Sequence, residues 1–326
     1  MTAPLLDVRD LSVRLPGRHG DLTAVESVDF TVGDSEIVGI AGESGSGKTL
    51  SVLALLGLLP PGCIATGMAR FQGQDLFSLR RKQLQAVRGK EIAVVFQDPM
   101  NSLHPMLTIG RQLTEHQLVH RSVTKKAARE RALELLDVVR IPNPADAIDR
   151  HPHHFSGGMR QRIAIAMALA CEPKLLIADE PTTALDVTVQ AGILHLINRL
   201  RHEASLSVVL ITHDLGVLSA IADRLYIFYA GRAVECGDSG TLLARPRHPY
   251  TQGLLDALPK PDQPDRPLTP IGGAPPVLGA RAPGCAFHPR CAFAEESCRQ
   301  DVPPLVRLDD GRSLACPPDP LAAVPA

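Results

Sequence analysis

The chain has 326 residues, enough to bury a full α/β core and leave room for a smaller appendage. Its 34 Lys and Arg nearly cancel its 35 Asp and Glu, and the formal net charge of −1 excludes an electrostatic grip on nucleic acid or anionic lipid as the organising principle. There is no Trp and little Tyr to stack on single-stranded bases. The longest apolar run, Ile163–Ala170, falls far short of the ~20 residues that span a bilayer.

Met1–Asp10 has no basic stretch followed by an apolar one, so no secretory leader is expected. Up to about residue 42, apolar and polar side chains alternate (Leu11, Val13, Leu15, then Val28, Phe30, Val32), which predicts antiparallel strands. The apolar run Ile37–Ala41 then leads into Gly42-Glu43-Ser44-Gly45-Ser46-Gly47-Lys48-Thr49, and a helical pattern covers Leu50–Leu59. The eight residues fit G-x-x-x-x-G-K-[ST] in the strand, loop, helix context that this phosphate-binding motif requires. Glycines let backbone N–H groups curl inward as an anion nest, and the helix N-terminus adds the positive end of a dipole. Lys48 would reach the β- and γ-phosphates of a nucleoside triphosphate, and the Thr49 hydroxyl would ligate Mg²⁺.

Residues of about 100–165 predict mainly helix, notably Lys125–Val139. Alternation of strand and helix returns over about 166–240, with strands at Leu175–Ala178 and Val208–Thr212. The first of these ends in Asp179-Glu180. Two adjacent carboxylates at the end of a buried strand suit a Mg²⁺-dependent hydrolase, Asp179 holding the metal shell and Glu180 polarising the attacking water. Beyond about Leu243, Pro becomes dense, Cys clusters and periodicity fades, which predicts a linker and a small loop-rich appendage.

Further strings give the chain a family likeness. Phe155-Ser156-Gly157-Gly158-Met159-Arg160-Gln161-Arg162 resembles the signature of ATP-binding cassette (ABC) ATPases, with Phe in the usual Leu position. Gln97 matches their Q-loop, His213 their switch histidine, and Ala184-Leu185-Asp186 their D-loop. Each string also has a plain physical reading: Ser156 as a helix N-cap, Gln97 as a surface amide, His213 as a structural histidine. The likeness runs over about residues 5–240 and implies an α/β fold, with a P-loop ABC ATPase core, an antiparallel β subdomain and a helical subdomain. It implies cassettes paired head to tail. Lys48, Thr49, Gln97, Asp179, Glu180 and His213 would then serve one nucleotide, while Ser156, Gly157 and Gly158 face the partner's. Leu15 falls where such ATPases usually carry an aromatic residue against adenine, which predicts weaker base discrimination.

Three strings resemble the ATPases of peptide and nickel importers: Phe96 to Pro105, Glu180 to Gln190, and His248-Pro249-Tyr250-Thr251 ahead of a C-terminal extension. Domains are accordingly expected at 1–243 for the cassette and 244–326 for the extension. Cys285, Cys291, Cys298 and Cys316 stand at C-x5-C-x6-C-x17-C in that extension. Disulfides do not suit a reducing cytoplasm, and structural zinc prefers tighter C-x2-4-C spacing, so iron–sulfur, zinc and free thiols all remain open. The resemblance to oligopeptide and dipeptide importers implies a [4Fe-4S] cluster on these four thiols. Cys63, Cys171 and Cys236 stand singly and predict small packing residues.

The implied cofactors are ATP and Mg²⁺. The implied partners are two transmembrane permease subunits, a second ATPase chain and, indirectly, an extracytoplasmic solute-binding protein, with no nucleic acid. The chain would lie peripherally at the cytoplasmic face of the cell membrane. A soluble ABC ATPase of translation or DNA repair is the first alternative, set against by the single compact cassette and near-neutral charge. An exporter ATPase is the second, set against by the importer-like linker and tail.

Overall fold

The computed structural model describes residues 3–18, 20–98, 102–183, 185–259, 267 and 269–322. In chain order its strands are β1 (Leu6–Leu15), β2 (Leu22–Val32), β3 (Ile37–Ala41), β4 (Ile64–Phe71), β5 (Gln74–Asp75), β6 (Ile92–Val95), β7 (Leu175–Asp179), β8 (Ser207–Ile211), β9 (Arg224–Tyr229), β10 (Arg232–Asp238), β11 (Val306–Arg307) and β12 (Ser313–Leu314). The chain divides into two compact units, one of residues 1–32, 38–77 and 212–326, the other of residues 33–37 and 78–211.

In the first unit β1 pairs antiparallel with both β2 and β4, as the alternation predicts. Leu6 and Val8 are buried, and so are Leu11 and Val13, although a strict period of two would put the two pairs on opposite faces. Asp10, at φ 50°, resolves the conflict: the register shifts between Val8 and Leu11, and this bulge returns Leu11 and Val13 to the apolar side. A second strand set runs β11-β12-β10-β9-β3, with β9 parallel to β3 and β10 folded back on β9. The predicted loop-rich tail is therefore stitched in, because β12 pairs with β10 at Glu235↔Leu314 and Cys236↔Ser313. The helix after the phosphate loop, Lys48–Leu55, stops short of the predicted Leu59. Gly57 takes φ 57° and donates to the Ala54 carbonyl at 3.0 Å, a left-handed stop that glycine adopts at little cost.

The second unit holds the parallel strands β8-β7-β6. Every residue of β7 and β8 is buried, which explains why both read as unbroken apolar runs. The predicted helix forms over Lys125–Val138, capped by Thr124 and burying Ala128, Ala132, Leu135 and Leu136 along one stripe. Further helices cover Ile109–His120, Gly157–Ala168 and Val187–Glu203. No described helix is long and apolar enough to cross a membrane.

Candidate functional site

The phosphate loop lies in the first unit. Gly42, Gly45 and Gly47 all take positive φ, at 145°, 77° and 95°. At Gly42 the need for glycine is doubled, since a Cβ there would sit 2.1 Å from the Phe228 carbonyl oxygen. Lys48 is buried and its Nζ curls back over the loop, donating to the carbonyls of Gly42 at 2.8 Å and Glu43 at 2.9 Å and to Ser46 Oγ at 3.4 Å. The ammonium thus stands among the loop's own backbone groups, where a bound polyphosphate would meet it. Ser44 and Thr49 are exposed at the loop and at the start of the helix.

Residues far along the chain hold this loop. The Gly231 N–H donates to the Ser46 carbonyl at 2.9 Å. The hydroxyl of fully buried Tyr250 accepts the Glu43 N–H at 2.8 Å. Arg290 grips the Glu43 carboxylate with both terminal nitrogens, Nη1 to Oε2 at 2.7 Å and Nη2 to Oε1 at 3.0 Å. The His248-Pro249-Tyr250 string, predicted as a stiff linker, begins a helix over Pro249–Asp256 and delivers Tyr250 to the loop. His248 caps that helix by accepting the Tyr250 N–H at 3.0 Å, and its complete burial lowers its pKa to about 3, so it stays neutral as the cap requires. Sequence reading missed Gly231 and Arg290. Nothing local marks either as a partner of a loop some two hundred residues away.

His213 also belongs to the first unit. It follows Thr212, whose N–H donates to the carbonyl of Ile40 on β3 at 3.2 Å, so it stands beside the strand that feeds the phosphate loop, with its side chain exposed. Leu15 ends β1 opposite Leu22 and is half-buried.

The acidic pair lies in the second unit. Asp179 ends β7 and is buried, while Glu180 turns away at φ 46°, a left-handed conformation that costs a non-glycine residue about 1 kcal/mol or more. Hydrogen bonds from backbone and side chains hold it there. Its N–H donates to the Ile211 carbonyl at 2.8 Å, and its Oε2 accepts from Gln97 Nε2 at 2.7 Å and Thr183 Oγ1 at 2.9 Å. Gln97 and Glu180, predicted separately, thus meet, with the amide ordering the carboxylate. Pro99, Met100 and Asn101 of the Q-loop string and Ala184 of the D-loop string lie outside the described residues. Asp186 N-caps the helix Val187–Glu203 by accepting the Val189 N–H at 2.9 Å.

Ser156 N-caps the helix Gly157–Ala168, accepting the Met159 N–H at 3.4 Å. Gly158 has a packing role that sequence reading missed, because a Cβ there would lie 2.5 Å from Val189 Cγ1. Gly157 has room for a Cβ, with Leu185 Cδ2 at 3.7 Å as its nearest contact.

The four tail cysteines belong to the first unit. Cys285, Cys298 and Cys316 line one cavity of about 190 Å³ with Pro303, Pro304 and Pro317. Burial first, then the charges of Cys285, Cys291 and Cys298, push the Cys316 thiol up to about 12. Among the described residues no three His, Cys, Asp or Glu side chains are arranged to hold a metal ion. Cys171 is buried and Cys63 and Cys236 are half-buried, in keeping with packing roles.

Comparison with known proteins decides the family. Residues 25–183 match the ABC transporter family, and residues 234–298 match the C-terminal region of oligopeptide/dipeptide transporters. A peptide import ATP-binding protein of Brucella melitensis is 50% identical over 97% of this chain and 96% of its own length. The chain belongs to the ABC transporter ATP-binding proteins. This ABC ATPase is also 46% identical to the oligopeptide transport ATP-binding protein OppD of Salmonella typhimurium, over 96% of the chain and 93% of OppD. The dipeptide transport ATP-binding protein DppD of Escherichia coli is equally similar, at 46% over 96% of both chains. Among solved structures, the ABC cassette MJ0796 bound to ADP and Pi in a post-hydrolysis state superposes with a TM-score of 0.65 at 27% identity, over 72% of this chain and 98% of that one. The ABC fold and the ATPase activity follow from membership.

Proposed function

We propose that this ABC ATPase hydrolyses ATP to power import of peptides through a membrane transporter. The observation that carries the hydrolytic reading is the Gln97–Glu180 hydrogen bond, which sets an ordered carboxylate at the end of a buried strand. Glu180 would accept a proton from the attacking water. Gln97 would orient that carboxylate and sense the nucleotide, and exposed His213 would donate to the γ-phosphate. Lys48 and the N–H groups of Gly42–Thr49 would hold the phosphates. Thr49 and Asp179, with Gln97, offer the hard oxygen donors that Mg²⁺ takes, and the ion would neutralise charge on the phosphates. Ser156, Gly157 and Gly158 would contact the nucleotide of a paired cassette, which fits a helix N-terminus that ends in glycines. Leu15 would pack on adenine. An aromatic contact adds about 0.5–1.5 kcal/mol, so GTP should compete within about tenfold of ATP and Leu15→Tyr should tighten ATP binding severalfold. Competition titrations test this, and GTP failing at a hundredfold excess would count against the assignment.

The peptide class rests on the peptide, oligopeptide and dipeptide transport ATP-binding proteins among the relatives, whose likeness spans the cassette (1–243) and the extension (244–326) alike. Two permease subunits would dock on the second unit near Gln97. A cavity of about 230 Å³ lies there, lined by Val94, Phe96, Ser102, His116, Ala164 and Met167, with Phe96 exposed. A paralogous ATPase would complete the dimer at the cytoplasmic face of the membrane, and a binding protein would deliver the solute from outside. Affinity purification from detergent-solubilised membranes tests this reading. Two polytopic permeases and a second ATPase are expected, while ribosomes or nucleic-acid enzymes in their place would overturn it.

Four thiols in one Pro-rich segment are the donor type that a [4Fe-4S] cluster takes, with zinc as the second candidate, and binding would have to draw together side chains of which no three are now arranged to hold a metal. A bound cluster would add a staple to a small segment with little apolar core of its own. Cys291→Ser should therefore lose bound iron, read by metal analysis and visible absorbance. Unchanged iron content, or no iron in the wild type, would remove the cluster.

A further inference from the structure

The phosphate loop carries an acid of its own, Glu43, at its second position. A carboxylate inside a loop that binds polyphosphate repels its ligand and would weaken the site unless its charge were cancelled. The cancelling charge comes from the C-terminal extension. Arg290 makes two charge-assisted bonds to Glu43, at 2.7 and 3.0 Å. A third, from Nε to the Gly272 carbonyl, is 2.8 Å long, and Nη1 also reaches the Tyr229 hydroxyl at 3.3 Å. The Arg290 side chain is 5% exposed and that of Glu43 25%, so water screens the pair little. The guanidinium lies 5.8 Å from the centre of the Tyr229 ring and 5.9 Å from that of Phe287, which fixes its plane. Those rings pack in turn on Tyr250, with centroid separations of 4.6 and 5.3 Å, and Tyr250 accepts the Glu43 N–H. Backbone and side chain of one loop residue are therefore held from one aromatic cluster. Pro275 and Pro276 of the extension line the same recess as Glu43 through Ser46.

We infer that Arg290 is a positioning residue for the nucleotide: by neutralising and anchoring Glu43 it makes the C-terminal extension a working part of the phosphate-binding loop. This rests on the reading of Gly42–Thr49 as the ATP site. The reason is electrostatic as much as mechanical. Truncating Arg290 leaves an unpaired carboxylate facing a ligand of several negative charges, and the loss should scale with phosphate count.

The test uses the full-length chain and titration of fluorescent MANT nucleotides at low salt. Arg290→Ala should weaken MANT-ATP binding about tenfold and MANT-ADP less, and added salt should shrink the loss. Adding Glu43→Gln to Arg290→Ala should restore most of the affinity, because the repelling charge is gone; a purely structural arginine would show no such rescue. Arg290→Lys keeps the charge without the fork and should cost only two- to fourfold, which serves if the alanine variant folds poorly. Arg290→Ala within twofold of wild type, or a double variant no better than the single one, would overturn the inference. Lys48→Ala separates the two readings: retained nucleotide binding there would sink the ATP-site assignment, whereas its loss beside wild-type affinity in the Arg290 variants would sink only the role of Arg290.

Discussion

Glu180→Gln should bind ATP and fail to turn it over, with phosphate release at least about a hundredfold below wild type, the usual scale for removing a general base. The substitution is nearly isosteric. Its amide oxygen can still accept from Gln97 Nε2 and Thr183 Oγ1, which reach the carboxylate at 2.7 and 2.9 Å. The backbone bond to Ile211 and the left-handed φ of 46° are unaffected, so the fold should survive. What is lost is proton acceptance. With hydrolysis blocked, ATP should hold paired cassettes closed, a population shift set by the nucleotide's higher affinity for the closed form. Phosphate release measures the first effect, and size-exclusion chromatography with ATP the second. Turnover within about threefold of wild type would remove Glu180 as the base, since a lost general base costs at least about a hundredfold.

Gly42→Ala should be the most damaging single methyl in the phosphate loop. The added Cβ would lie 2.1 Å from the backbone oxygen of Phe228 on β9, and a buried strand cannot yield as a flexible side chain would. The φ of 145° adds strain for any L side chain. A destabilisation of about 2–4 kcal/mol is expected, together with loss of measurable ATP binding, because the loop must leave its place to relieve the clash. Gly45→Ala is the internal comparison. It meets nothing within 4 Å at φ 77°, so the strain of about 1 kcal/mol should act alone. Thermal unfolding and nucleotide titration of the two variants decide the matter. Equal behaviour would mean that the Phe228 contact is relieved without cost.

Much of the site was legible because its residues act through local backbone geometry. A glycine loop between a buried strand and a helix needs no distant partner to be recognised, and neither does a strand ending in two carboxylates or a serine cap before two glycines. The same locality explains what went unread. Gly158, expected to face an anion, carries a second constraint that no local pattern announces, since a Cβ there would lie 2.5 Å from Val189. The helix after the loop looks longer than it is because Leu58 and Leu59 keep the apolar pattern beyond Gly57, where the backbone has already turned. The tail looks like a loose appendage because β11 and β12 span only two residues each, too short for any periodic signal, and it is pairing, of β11 with β12 and of β12 with β10, that makes them strands.

By itself the sequence determined which groups are on offer: a glycine-rich loop between a strand and a helix, two carboxylates at a strand's end, four thiols in one segment, and a near-zero net charge with no bilayer-spanning run. These follow from residue type and short spacing, which the chain carries wherever it folds. The tertiary structure alone decided how that chemistry is held. Gln97 finds Glu180 across 83 residues and Arg290 finds Glu43 across 247, because strand order and aromatic packing bring them together. Contacts of that range depend on which elements become neighbours, and no local pattern of side chains encodes it.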